Sequence, residues 1–197
     1  MPNGYLSPIF APHNVTSMSI YQKIAKIGPK YIGKANLFRY GFNWSPMYSR
    51  STGKITEVSD DLLQVKIKIP LSWKNRNYAN SIYGGSLFSS VDPIPMVQLL
   101  NIIGEDYVVW DKYAEISFRR PAKETVYGEF TYTEAEIQEI KERVASENEI
   151  EIIKTTRLTT KDQSTVFCEV KKTVYIANKA FYKNKRKQKE ARKKEQI

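Results

Sequence analysis

Residues 84–103, GGSLFSSVDPIPMVQLLNII, are apolar on nearly every side and carry a single ionisable side chain, Asp92. A helix of that composition is stable only where most of its faces are buried, so the rest of the chain must supply apolar surface around it. A lone carboxylate in such a segment costs free energy unless something nearby satisfies it, which marks Asp92 as a residue with a role.

The flanking sequence supplies the surface as strands. Ile55 to Val58, a turn at Ser59-Asp60-Asp61, and then Leu63, Val65, Ile67 and Ile69 alternating with Gln64, Lys66 and Lys68 read as a half-buried hairpin. Tyr107 to Arg120 reads as a strand with Val108, Trp110, Ala114, Ile116 and Phe118 on one face, and Lys112 falls in that apolar row. Val126, Phe130 and Tyr132 continue as a fourth strand after Pro121. Thr133 and Glu136 have capping-box spacing ahead of Ile137, Ile140 and Val144, which predicts a surface helix. Residues 149–160 and 165–176 predict two more strands joined at Lys161 to Ser164. The expected fold class is α+β, with about six antiparallel strands curving around one central helix. Such a sheet has open edges, and pairing with a second copy would cover them, so a homodimer is expected, with a tetramer as its further assembly.

Several function classes are excluded by what is missing. The one histidine, His13, sits in an irregular stretch rich in Pro, Asn and Ser, so a Ser-His-Asp triad, a Cys-His pair or a histidine-zinc site lacks its imidazole. No metal and no cofactor is expected. The one cysteine, Cys168, alternates with Val166, Val170 and Val174, where it reads as a small buried hydrophobe. A lone cysteine and the lack of a basic, apolar leader suit a cytoplasmic setting. Any chemistry falls to carboxylates, hydroxyls, amides, lysines or backbone N–H groups.

The net charge of +10 is concentrated at one end. Residues 178–197 hold nine basic and two acidic side chains, which leaves only +3 for the remainder. The division expected is an N-terminal extension over 1–36 with a short helix near 20–27, a domain over 37–177, and a basic tail over 178–197. The tail reads as a solvated extension, with attraction to RNA or an anionic membrane surface as the sharper alternative.

Gly84-Gly85-Ser86-Leu87-Phe88 with Asp92, entered through Asn80-Ser81-Ile82-Tyr83, resembles the His-Gly-Gly-x-Leu-Phe-x-x-x-Asp segment that opens the central helix of phenylacetyl-CoA-type thioesterases in the hotdog superfamily. Residues 73–78 and 108–112 look like a less characterised branch of that superfamily. The resemblance covers residues 37–176 and implies a hotdog fold that hydrolyses acyl-CoA at a dimer interface. It assigns Gly84 and Gly85 as backbone donors to the thioester carbonyl and Asp92 as general base or nucleophile. Asn77 and Asn80 would orient substrate or water. Trp110 and Lys112 are further candidates at the substrate, Lys112 as a partner of Asp92 or of a CoA phosphate.

Two departures bear on that assignment. Tyr83 stands where the motif has histidine, and Pro93 and Pro95 follow Asp92. Asp92 before Pro93 also fits a helix start, with Asp at the N-cap and Pro at the first helical position. Lys112 equally fits a strand-end lysine whose stem reaches water, and Trp110 fits the core. A non-catalytic hotdog module that binds an acyl group or a protein is the rival to the enzyme.

Overall fold

The structure, a computed structural model, describes residues 33–194; His13 and the helix expected near 20–27 lie outside the described residues. The elements run α1 (Lys34–Trp44), α2 (Pro46–Ser49), β1 (Lys54–Val58), β2 (Gln64–Ile69), α3 (Gly84–Val91), α4 (Ile94–Ile103), β3 (Tyr107–Phe118), β4 (Val126–Thr131), α5 (Glu134–Glu147), β5 (Glu149–Thr159), β6 (Val166–Asn178) and α6 (Lys179–Lys194). All six strands join one antiparallel sheet in the order β1-β2-β4-β5-β6-β3. The strand that follows the apolar helical segment therefore lies at one edge, and the short β1 forms the other.

Residues 84–103 are the core, as their composition demands, yet they form two helices. Pro93 and Pro95 lack the N–H groups that would bond the carbonyls of Ser89 and Val91, so the ladder breaks between α3 and α4. Gly84–Ile103 is long and apolar enough to cross a membrane by its mean hydropathy of 1.2, but half of it is buried within the protein. Leu87, Val91, Ile94 and Leu99 are buried among the inward residues of the strands. The one buried amide here, Gln98, donates from Nε2 to the Leu62 carbonyl at 2.7 Å.

The sequence pattern did not reveal α1. It packs on β1, and the Asn43 side chain binds both the N–H and the carbonyl of Ile55 at 2.9 Å, as a neighbouring strand would. Ala35 and Phe38, three residues apart, are its buried positions. In α2, Tyr48 is fully buried and its hydroxyl donates to the Ser90 carbonyl at 3.0 Å, tying this corner to α3.

The capping box before α5 closes by half. Thr133 Oγ1 accepts the Glu136 N–H at 3.1 Å, while the Glu136 carboxylate turns to Lys154 of β5. The basic tail leaves β6 at Asn178 and is helical from Lys179 to Lys194. Asn178 Oδ1 accepts the N–H groups of Ala180 and Phe181, starting α6. Tyr182 then meets the ring of Tyr175 on β6, and Lys185 binds Glu149 on β5.

Candidate active site

Asp92 is the last residue of α3's turn, in helical conformation (φ −46°, ψ −53°), and its side chain caps nothing, so the helix-start reading is corrected. Its partner is a lysine the strand pattern had passed over. Lys172 occupies the inward row of β6 between Val170 and Val174, where an apolar residue would continue the alternation, and only 1% of its side chain is exposed. Its Nζ donates to Asp92 Oδ1 at 2.5 Å, to the Asp92 carbonyl at 2.9 Å, and to Asp111 Oδ2 at 2.8 Å. One ammonium thus holds two carboxylates and the end of a helix.

Asp111 reaches that position through an irregularity in β3. The register against β6 shifts between Asp111 and Tyr113, which inserts Lys112 and reverses the facing of the residues before it. Val109 and Asp111 consequently point inward, and Trp110 and Lys112 point out. Trp110 is 55% exposed, which overturns its expected place in the core. Lys112 pairs with Glu151 on the outer surface of β5, so the cation expected at Asp92 is Lys172 instead. A strict alternation carried through residues 108–118 could not reveal the shift. The lysine in the Val166, Cys168, Val170, Val174 row was the available signal.

The two acids differ in surroundings. Asp92 keeps 44% of its side chain exposed, and its second oxygen has no hydrogen bond among the described residues. Asp111 is 24% exposed, with Oδ1 buried and unpaired. Burial pushes the Asp111 carboxyl above the usual carboxylate range; the hydrogen bond and charge of Lys172 oppose this, and the charge of Asp92 adds to it.

At the opposite end of α3, the N–H groups of Ser86 and Leu87 bond the Tyr83 carbonyl. Those of Gly84 and Gly85 have no partner among the described residues, as expected of a helix start. A β-carbon on Gly85 would collide with the Tyr83 ring, and one on Gly84 would stand 2.8 Å from Phe118 Cζ, so a larger residue at either position would displace a ring. Both rings are more than half exposed, so Tyr83 and Phe118 stand over the helix start as movable covers. Gly84 and Asp92, eight residues apart, are separated by roughly 12 Å along the helix.

The remaining candidates sit in the loop before α3. Asn77 Oδ1 accepts both the N–H and hydroxyl of Ser81 at 3.1 Å, which closes the loop on itself. Asn80 is exposed in left-handed conformation (φ 56°). The buried amide of this region is Asn75, which binds Thr52, the Pro70 carbonyl and Ser72. Among the described residues, no group of three His, Cys, Asp or Glu side chains could hold a metal ion. Cys168 is buried and its thiol is pushed up to about 12 by desolvation, so it behaves as a core residue.

One antiparallel sheet packed on a central helix in this order is the hotdog fold. A Pseudomonas aeruginosa protein of unknown function, described as a probable thioesterase, shares it with a TM-score of 0.64 at 20% identity, over 73% of this chain and 95% of that one. A thioesterase from Haemophilus influenzae superposes with a TM-score of 0.52 at 11% identity, over 70% and 87% of the two chains. No curated protein matches the sequence. The chain belongs to the family described as Domain of unknown function (DUF4442), whose pattern matches residues 34–176.

Proposed function

We propose that this protein hydrolyses acyl-CoA thioesters at a site completed by two copies of the chain. Gly84 and Gly85 of one copy would donate their free N–H groups to the thioester carbonyl, where the negative charge of the attacked carbonyl develops. Asp92 of the other copy would take a proton from water as that water attacks the carbonyl carbon. The carbon–sulfur bond then breaks, and the proton passes from Asp92 to the departing CoA thiolate.

The observation that carries this reading is the second oxygen of Asp92, without a hydrogen bond among the described residues, on a half-exposed side chain anchored from behind by Lys172. The separation along α3 favours two copies over one, because groups roughly 12 Å apart cannot both reach a single ester group. The twelve-residue edge strand β3 offers the surface for pairing, with Tyr113 and Phe118 more than half exposed along it. Trp110 and Lys112, on the outer face of the same strand, would meet the CoA moiety rather than the reacting carbon.

The test is thiol release from a panel of acyl-CoA esters of increasing chain length, with Asp92→Asn beside the wild type. Buried Cys168 leaves the released CoA as the thiol that reacts with the reagent. The expected result is turnover on at least one chain length and a loss of about a hundredfold or more in the variant. Absence of turnover on every ester, or full activity in Asp92→Asn, would overturn the proposal, and tight acyl-CoA binding without hydrolysis would leave an acyl-binding module in its place. Sedimentation equilibrium tests the pairing, which predicts a dimer.

A further inference from the structure

We infer that Lys172 and Asp111 are a positioning pair for Asp92, one buried ammonium divided between two carboxylates so that the charge on Asp111 governs the basicity of Asp92; this rests on the reading of Asp92 as the general base.

The geometry is more elaborate than a structural ion pair requires. Lys172 alone would satisfy Asp92, since it binds both the carboxylate and the carbonyl of that residue. A second acid adds desolvation cost, and it is delivered by a break in the β3 ladder, a feature that itself removes pairing. Asp111 then keeps one oxygen buried with nothing bound to it. Two acids around one cation leave the cluster one negative charge over neutral when all three groups are ionised, beside the apolar Val170 and Val174 that flank Lys172 on β6.

The less exposed acid, Asp111, holds a proton more readily than a solvated carboxyl. Burial already disfavours the anion of Asp111, and the neighbouring Asp92 charge acts in the same direction. With Asp111 ionised, the Lys172 ammonium is shared and Asp92 holds a proton more readily. With Asp111 protonated, the full charge falls on Asp92 and weakens it as a base. The cluster thereby links the competence of Asp92 to a group that never meets substrate. The other groups facing it are Tyr132 just after β4, whose phenol lies close enough to feel Asp111 and Glu136, and Lys154 on β5, opposite Lys172 and bound to Glu136 of α5. Lys112 is turned away toward Glu151.

The experiment measures pH–rate profiles of the full chain on its best acyl-CoA ester, for wild type, Asp111→Asn and the double variant Lys172→Met with Asp111→Asn. Asparagine keeps the shape of Asp111, and the double variant leaves no buried charge in place of the pair, so both retain the fold. Asp111→Asn gives Lys172 wholly to Asp92; the acid limb moves down by about half a pH unit or more and plateau turnover falls. The double variant removes cation and anchor; the acid limb moves up by about one unit and turnover drops about tenfold, with KM within about twofold. Folded variants whose acid limbs coincide with the wild type's overturn the inference. Carbon-13 titration of the six aspartate carboxyls in the same proteins gives an arm independent of turnover. There, an Asp92 curve displaced by Asp111→Asn supports the inference, and an unmoved curve overturns it. An inactive wild type with a displaced Asp92 curve removes the hydrolase reading while the coupling stands.

Discussion

Lys154 and Lys172 face each other across β5 and β6 on the inner surface of the sheet, direct partners in the register of two strands whose neighbouring inward residues are Ile152, Thr156, Val170 and Val174. Each is neutralised separately. Lys154 binds both oxygens of Glu136 at 2.8 and 3.0 Å and lies 4.1 Å above the Tyr132 ring, while Lys172 binds Asp92 and Asp111. The pair divides the interior in two. On one side Leu158, Cys168 and Val170 pack with α1, α3, β1 and β2; on the other Ile150, Val174 and Ile176 pack with α4 and α5. Two separate apolar clusters with a charged seam are a costly core for a domain of this size, which locates the seam as the place where something other than stability is served.

Removing the cation from that seam is therefore expected to be more damaging than removing the whole cluster. Lys172→Met keeps the stem and strands Asp92 and Asp111 without a counter-charge, and a loss of about 2–3 kcal/mol is expected, the lower end because Asp92 is partly solvated. Adding Asp111→Asn should recover most of it. Lys112→Met, by contrast, removes an exposed pair with Glu151 and should change stability by less than about 0.5 kcal/mol. Urea midpoints at constant slope measure all three. Equal midpoints for Lys172→Met and Lys112→Met would show that the buried cluster holds nothing together.

The raised carboxyl of Asp111 gives stability a definite pH dependence. A carboxylate whose folded value lies above its unfolded one favours the folded state at pH below the unfolded value, and that contribution disappears as pH rises through the folded value. Asp111→Asn abolishes the titration. The variant should accordingly gain relative to the wild type as pH is raised from acid toward neutral, read from paired urea melts. A difference that stays flat, or runs the other way, would mean that Lys172 outweighs burial at this site.

The parts of this fold that were legible in the sequence are those in which period and burial agree. The hairpin of β1 and β2, the strands β4, β5 and β6, and the Thr133 start of α5 follow from alternation and cap chemistry within a residue or two. The hotdog architecture was legible from the glycine pair, Leu87, Phe88 and Asp92 together with the strand order. Two things were hidden. A register shift costs one residue and leaves no mark in composition, so Lys112 looked inward and Asp111 did not. The partnership of Asp92 with Lys172 joins positions eighty residues apart, and that of Asp111 with Lys172 depends on the pairing of β3 with β6.

The tail gives a prediction that separates charge from fold. In α6, Lys185 binds Glu149, whose carboxyl is held below its usual range by that hydrogen bond and by the Tyr175 hydroxyl. Both contacts lie at the surface and contribute little. Deleting residues 179–197 removes most of the excess positive charge, so retention on a polyanion column should fall sharply and its dependence on salt should flatten. The melting temperature should shift by only a few degrees, as expected for a loss of about 1 kcal/mol or less. Retention that survives the deletion would place the polyanion-attracting surface on the hotdog domain itself.

A last prediction concerns how tightly the sheet closes at β4. Gly128 lies between Ile67 of β2 and Leu158 of β5, and it is one of only two β4 residues paired with β5. A β-carbon there would stand 2.7 Å from Leu158 Cδ2 and 3.3 Å from Ile67 Cγ1, both in the buried interior. Leu158 is fully buried, so its methyl cannot swing aside without disturbing Val65, Val170 and the other residues of the same cluster. Gly128→Ala should thus cost about 1–3 kcal/mol by overpacking, even though alanine suits a strand better than glycine. Pairing it with Leu158→Val, which withdraws the offending methyl, should recover part of the loss. The two substitutions together should cost less than the sum of their separate effects, and strict additivity in a double-mutant cycle would show that Gly128 and Leu158 do not meet in solution as they do here.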